Sequence, residues 1–217
     1  MEPYPRAEER ERMVEYQIRS RGIGNPRVLA AMREIPRHLF IPPPYDKAAY
    51  EDSPLPIGNG QTISQPYIVA VMTELLDPQP EDTILEIGAG SGYQAAVLSR
   101  MVWRVTSIER IAAVASLARE NIARLKLKNV EIIVGDGTLG YPANAPYDGI
   151  IITAATPDVP RPLIGQLAEG GILVAPVGGR DSQELVTLTR KGAGIERSFH
   201  GGVRFVPLIG EHGWADT

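Results

Sequence analysis

The chain has 217 residues, 43% hydrophobic and 22% charged, values of one ordinary globular domain with attachments and too apolar for a disordered chain. Lys plus Arg number 22 against 26 Asp plus Glu, a net charge of −4, which supplies no general electrostatic footprint for DNA, RNA or an anionic membrane. The lack of cysteine excludes disulfides, thiolate metal sites and thiol nucleophiles, and His38, His200 and His212 lack metal-ligand spacing.

Residues 1–12 are rich in Glu, Arg and Pro, with no apolar stretch of signal-peptide length, and no window approaches a membrane span. A soluble cytoplasmic monomer is expected, with neither nucleic acid nor membrane as partner. Met13, Val14 and Ile18 stand at near-helical spacing within residues 7–20, and Asn25-Pro26 reads as an N-cap and N1 proline opening a helix over 27–35. Pro42-Pro43-Pro44 must be extended. Twelve of the 19 prolines lie at or before Pro80 and 18 of the 22 glycines lie after it. Residues 1–80 therefore read as a helical lid segment and 81–217 as an α/β unit, together one compact domain.

Beyond residue 82, short β-branched runs at 83–87, 105–108, 131–134, 149–153 and 172–177 alternate with helical spacing at 93–101, 111–125 and 161–167. Such alternation predicts a parallel sheet with helices on both faces, because parallel neighbours need a crossover. Strand-like runs at 184–190, 197–200 and 203–208 follow, separated by the glycine-rich stretches 191–194 and 201–202. Adjacent strands joined by a turn cannot be parallel, so an antiparallel pair is expected at one edge.

The densest chemical signal is Glu86-Ile87-Gly88-Ala89-Gly90-Ser91-Gly92, a strand end followed by three alternate glycines and a helix. Glycines there let the chain turn sharply and let a ligand lie against the main chain, at the strand end where open α/β sheets bind ligands. A dinucleotide fingerprint would place its last glycine at Tyr93, so that match fails by one residue. Glu109 ends the second strand, where a carboxylate can accept from two ribose hydroxyls. Gly135-Asp136-Gly137 follows the third strand: Asp136 can accept from an exocyclic amine while the glycines let a base lie flat. A solvated charge and a plain turn are the alternatives for these two positions.

These motifs, with 146–151 (Pro-Tyr-Asp-Gly-Ile-Ile) and 167–173 (Leu-Ala-Glu-Gly-Gly-Ile-Leu), resemble those of class I S-adenosylmethionine-dependent methyltransferases. More narrowly, Gln61-Thr62-Ile63-Ser64-Gln65-Pro66-Tyr67 and Val134-Gly135-Asp136-Gly137-Thr138-Leu139-Gly140-Tyr141 resemble the protein-L-isoaspartate (D-aspartate) O-methyltransferase family, as do 36–42 and 204–208. The resemblance runs from about Met13 to Leu208. It implies a doubly wound, mostly parallel seven-stranded Rossmann-like sheet with an antiparallel edge. It also implies methyl transfer from S-adenosyl-L-methionine, leaving S-adenosyl-L-homocysteine, to L-isoaspartyl residues of damaged proteins and peptides. On the residues it places Gly88, Gly90 and Gly92 under the methionine part, Glu86 near its amino group, Glu109 on the ribose, and Asp136 with Gly137 on the adenine. Thr62, Ile63, Ser64 and Gln65 would close over the cofactor, with Ser64 at the family's active-site serine. Phe205 and Val206 would meet an extended substrate backbone. Some family members carry Thr at Ile209 and His at Tyr67, so this chain departs from them there.

The chemistry is coherent on its own terms. An isoaspartyl residue offers a free α-carboxylate, with a pKa of roughly 3.5, so at neutral pH no general base is needed and the absence of a His or Cys catalyst is explained. Holding the reacting atoms in line is what remains, and Ser64 suits an orienting hydroxyl, a role compatible with an N-cap beside Pro66. A serine nucleophile is disfavoured because Gly-x-Ser-x-Gly and a His/Asp partner set are missing. Leu98, Met101 and Trp103 read as core, His38 as a satisfied side chain, residues 6–12 as a solvated helix face, and Asp148 as a loop cap. A methyltransferase with another acceptor, a nicotinamide-dependent dehydrogenase and a non-enzymatic cofactor-binding module are the rival readings.

Overall fold

The computed structural model describes residues 5–216; residues 1–4 of the leading segment, expected to hold no signal peptide, and residue 217 lie outside the described residues. The chain opens with α1 (Ala7–Met13), which continues through a π-turn to Ile18 and a 3₁₀ turn to Arg21. Helix α2 (Pro26–Glu34) starts as the sequence predicts, its Asn25 side chain accepting from Arg27 N–H at 2.9 Å and Val28 N–H at 3.4 Å. A small antiparallel hairpin, β1 (Leu55–Gly58) and β2 (Gln61–Ile63), precedes α3 (Pro66–Leu76). The α/β unit then runs β3 (Thr83–Ile87), α4 (Tyr93–Leu98), β4 (Arg104–Glu109), α5 (Ala112–Arg124), β5 (Val130–Val134), β6 (Tyr147–Ile152), α6 (Arg161–Gly165) and β7 (Leu167–Gly178). It closes with β8 (Gln183–Lys191) and β9 (Gly194–Val203).

The large sheet has the order β5-β4-β3-β6-β7-β8-β9. Strands β5 through β7 are parallel neighbours, and β8 and β9 add antiparallel to that edge, as expected. From β3 the chain first moves outward through β4 to β5, then returns to the other side of β3 as β6. This reversal opens a crevice outside the carboxyl ends of β3 and β6, the place where doubly wound sheets bind ligands. One core cluster joins Met13, Ile18, Met32 and Phe40 of the N-terminal segment to Ala95, Val97, Val105 and Val174. A second, containing Leu85, Ile87, Ile150, Ile152 and Leu163, includes residues of β3, β6 and α6. The N-terminal helices therefore share the core of the sheet. Among the described residues no helix is long and apolar enough to cross a membrane.

Five expectations are corrected. Only Pro42 of the proline run is extended: Pro43 and Pro44 open a 3₁₀ turn over Pro43–Ala48, since a fixed φ near −65° suits the first positions of a helical turn as well as an extended chain. Residues 201–202 do not form a turn: they continue β9, beside the register shift between Glu184 and Val186, where glycine accommodates a bulge. Residues 204–208 consequently leave the sheet ladder. They run as an extended segment past the end of β6, held by Ala155 N–H to Val206 O and Leu208 N–H to Ala155 O, both 2.7 Å, on either side of the donor-less Pro207. Helix α4 stops at Leu98, which leaves Trp103 in the following turn 68% exposed, while Leu98 and Met101 are buried as expected. Within the charged face of residues 6–12, Arg10 is buried because its guanidinium donates to Arg33 O. His38 is satisfied by Tyr50 OH at 2.7 Å, and Asp148 accepts from Thr83 N–H at 2.8 Å, tying the start of β3.

Candidate active site

Strand β3 ends in a backbone that only glycine tolerates. Gly88, Gly90 and Gly92 have φ values of 96°, 53° and 86°, in the left-handed region where a Cβ is strained. A Cβ on Gly88 would also stand 2.6 Å from Thr153 Oγ1, whose hydroxyl donates to Gly88 O at 2.6 Å. The end of β6 thus braces the loop leaving β3. Gly92 packs against Ala118 of α5, and so brings α4 close to the sheet.

Glu109, at the end of β4, is oriented by two backbone donors, Gly90 N–H at 3.0 Å to Oε2 and Ile111 N–H at 3.0 Å to Oε1. It stands between two narrow cavities. The first is lined by Gln61, Thr62, Ile63, Ser64, Glu86, Gly88, Gly90, Glu109 and Thr153. The second takes Gln61, Gly88, Glu109, Gly137, Pro207, Leu208 and Ile209. Residues 61–64 of the hairpin form a wall of the first cavity, and Gln61 also walls the second. Gly137 lies so close to Ile87 that a Cβ there would stand 2.5 Å from its Cγ2.

Glu86 has no access to solvent. Burial in the sheet pushes its pKa up from the ordinary 4.5 to about 8, the Ser107 hydroxyl that donates to Oε2 works against that rise, and the neighbouring Glu109 charge adds to it. Its other oxygen, Oε1, has no hydrogen-bond partner. A buried orphan acceptor on the wall of a cavity calls for a donor, because leaving it unpaired costs about 1–3 kcal/mol. An amino acid ammonium meets that need, two ribose hydroxyls suit the Glu109 carboxylate, and Gly137 with Leu208 and Ile209 gives the second cavity the apolar lining that suits a flat base. The residues present therefore fit S-adenosylmethionine.

A larger groove of about 510 Å³ adjoins the first cavity. Ser64, Gln65, Ile68, Asp181, Arg204 and Phe205 contribute to its wall, and Thr62, Ser64, Thr153 and Val206 line groove and cavity together. Among the described residues the Ser64 hydroxyl has no hydrogen-bond partner, and it does not cap α3: the cap position is Gln65. The N-cap that the sequence left open as an alternative for Ser64 is therefore not formed, and its hydroxyl is left available at the junction. The hairpin and the following loop are braced by Gln65 Nε2 to Asp52 O at 3.1 Å. Arg21 adds to this brace, since it pairs with Asp52 at 2.7 Å and stacks 3.4 Å from the centre of the Tyr67 ring.

Of the residues expected to hold the cofactor, three lie outside both cavities, Gln65 lining the groove alone. Gly92 serves the packing of α4, and Asp136 is turned toward the C-terminal segment. Asp136 Oδ1 accepts from Thr138 N–H at 2.8 Å and Thr138 Oγ1 at 2.7 Å, and Oδ2 accepts from Glu211 N–H at 2.7 Å. Burial works to raise its pKa, but these hydrogen bonds prevail and hold it below the usual carboxylate value. Sequence reasoning missed Thr153, Gln61 and Ile209. Thr153 had a signal, since it ends the strand at the reversal of strand order; Gln61 and Ile209 reach the site only through tertiary folding.

The sequence matches the family Protein-L-isoaspartate(D-aspartate) O-methyltransferase (PCMT) over residues 8–213. It is 65% identical over 212 residues to a protein-L-isoaspartate O-methyltransferase of Methanoregula boonei, covering 98% of each chain. It is 60% identical over 214 residues to one of Methanoculleus marisnigri, covering 99% of this chain and 97% of the relative. The structure is also similar to the crystal structure of a Plasmodium falciparum protein-L-isoaspartate O-methyltransferase in complex with S-adenosyl-L-homocysteine. The TM-score is 0.81 and the identity 26%, over 92% of this chain and 98% of that one. The chain belongs to the protein-L-isoaspartate (D-aspartate) O-methyltransferase family.

Proposed function

We propose that this protein transfers a methyl group from S-adenosyl-L-methionine to the α-carboxyl of L-isoaspartyl residues in damaged proteins and peptides. The resulting ester collapses to a succinimide without the enzyme, which makes the activity one of repair. The carrying observation is the shared wall of Thr62, Ser64, Thr153 and Val206 between the cofactor cavity and the groove. When bound, the cofactor supplies a methyl on a positively charged sulfur. Glu86, Gly88, Gly90, Glu109 and Gly137 hold it, and residues 61–64 separate it from solvent. Ser64 donates its free hydroxyl to the substrate carboxylate and fixes the direction from which an oxygen approaches. No residue has to remove a proton, because the acceptor arrives anionic; orientation alone can contribute several kcal/mol.

Phe205 and Val206 meet the substrate backbone, which suits an extended, flexible polypeptide. The lid role proposed for the N-terminal segment falls on the hairpin and loop at 54–65, which line the groove and the cavity, while the helices before it belong to the core. The protein acts as a cytoplasmic monomer without nucleic acid. Mass spectrometry of an isoaspartyl peptide incubated with enzyme and cofactor tests the activity. A methyl ester that gives way to a succinimide is expected, and a peptide that stays unmodified beside an active control enzyme overturns it.

A further inference from the structure

The end of the chain folds back onto the cofactor side of the sheet, far in sequence from the glycine loop. Residues 208–214 form a tight turn: Trp214 N–H donates to Leu208 O at 2.8 Å, Gly210 N–H to Trp214 O at 3.3 Å, and Gly213 N–H to Gly210 O at 3.1 Å. The turn rests on the segment after β5. Glu211 N–H donates to Asp136 Oδ2 at 2.7 Å and His212 N–H to Thr138 Oγ1 at 3.1 Å. Gly210 lies against the Asp136 carboxylate so closely that a Cβ would overlap Oδ1. On another side, the Arg180 guanidinium stacks 5.0 Å from the Trp214 ring centre. The residues leading into the turn, Pro207, Leu208 and Ile209, line the second cavity with Glu109 and Gly137.

We propose that the turn at 208–214 holds the nucleoside-side wall of the cofactor site, and that Asp136 and Gly210 are positioning residues that set it in place. A carboxylate offers about four acceptor directions, and Asp136 spends three within the chain, one of them on the turn. Its anchoring of the wall is therefore a function separate from any contact with a base. Gly210 is required because any other residue would push the turn off that carboxylate and carry Ile209 with it. The inference rests on the methyltransferase reading above.

The test is calorimetric binding of S-adenosylhomocysteine and S-inosylhomocysteine, the latter lacking the exocyclic amine, to the parent, Gly210→Ala, Asp136→Asn and the double variant. Asp136→Asn keeps an oxygen for Thr138 but turns an N–H toward the Glu211 N–H, donor against donor. Each single variant is expected to weaken both ligands by roughly tenfold, with the double variant little worse than either because both disturb one contact. Affinities within about a factor of two of the parent for both ligands overturn the proposal. So does an Asp136→Asn effect confined to the amine-bearing ligand with Gly210→Ala silent, which assigns Asp136 to the base alone. A turn with a purely structural role would lower the melting temperature of the unliganded protein and leave both affinities unchanged, and that too overturns it. Asp136→Asn adds no heavy atom and carries the same test if Gly210→Ala fails to fold. A parent that binds neither ligand contradicts the methyltransferase reading itself, a different result from a parent that binds and variants that do not differ.

Discussion

Gly88 and Gly90 shape the proposed methionine end of the cofactor site within three consecutive residues, whereas on the proposed nucleoside side Glu211 reaches Asp136 across 75 positions of chain. The first end is local: strand, strained turn and helix follow one another, and a ligand there would meet backbone. The second is made by two segments that meet only after the sheet is complete. A site built the first way announces itself in sequence and fails when a single backbone angle is lost. One built the second way is silent in sequence and depends on contacts that either partner can break.

The largest effect is expected at the local end. Gly88→Ala combines a left-handed backbone angle with a collision against Thr153, a strain of about 1–3 kcal/mol that falls on the cofactor cradle. Calorimetry should show S-adenosylhomocysteine binding reduced by up to about a hundredfold, beyond the roughly tenfold effect at Gly210; equal losses at both positions would remove the contrast between the two ends. Next comes Ser64→Ala, which leaves the cradle intact and removes the hydroxyl at the junction. Steady-state kinetics should show kcat for an isoaspartyl peptide falling by about one to two powers of ten, with S-adenosylhomocysteine affinity unchanged.

A smaller effect is expected from Glu86, and it depends on pH. Its pKa in the folded protein lies near 8, above the ordinary 4.5, so the stability it contributes is complete below the lower value and is lost as pH rises through the upper one. Melting curves of the unliganded parent should therefore fall more steeply between these pH values than those of Glu86→Gln. Binding of S-adenosylhomocysteine near neutral pH should release a proton, because an ammonium beside Oε1 favours the carboxylate; calorimetry in buffers of different ionisation enthalpy reads this directly. The smallest effect belongs to Arg21→Ala. Its ion pair with Asp52 is partly exposed and worth under about 1 kcal/mol, so a KM for peptide raised by a few fold with kcat maintained is the expected outcome.

The legibility of the molecule follows the same division. β3 and β6 read directly from sequence because buried parallel strands are rich in apolar runs, β4 from its β-branched Val105, Thr106 and Ile108, and Glu86, Glu109 and the three glycines follow from their ends. Gly201 and Gly202 were unreadable as strand, since a bulge is defined by the partner across the ladder and not by the chain that carries it. The β1–β2 hairpin is too short for a periodic signal. Trp103 looked like core because it follows an apolar helix, and only the early end of α4 exposes it. Asp136 carried the right chemistry but an unseen partner, for nothing in Gly135-Asp136-Gly137 points to Glu211. Thr153 shows the intermediate case, a residue found in the expected strand whose importance comes from where strand order reverses.

At the centre of the account stands an acceptor that is already anionic, steered by Ser64 toward a donor lying over the glycine loop. Labelled methyl transfer from S-adenosylmethionine into an isoaspartyl peptide and its normal aspartyl twin tests this most directly. The account predicts label in the isoaspartyl peptide alone, suppressed by S-adenosylhomocysteine; equal labelling of both peptides, or of neither, would contradict it.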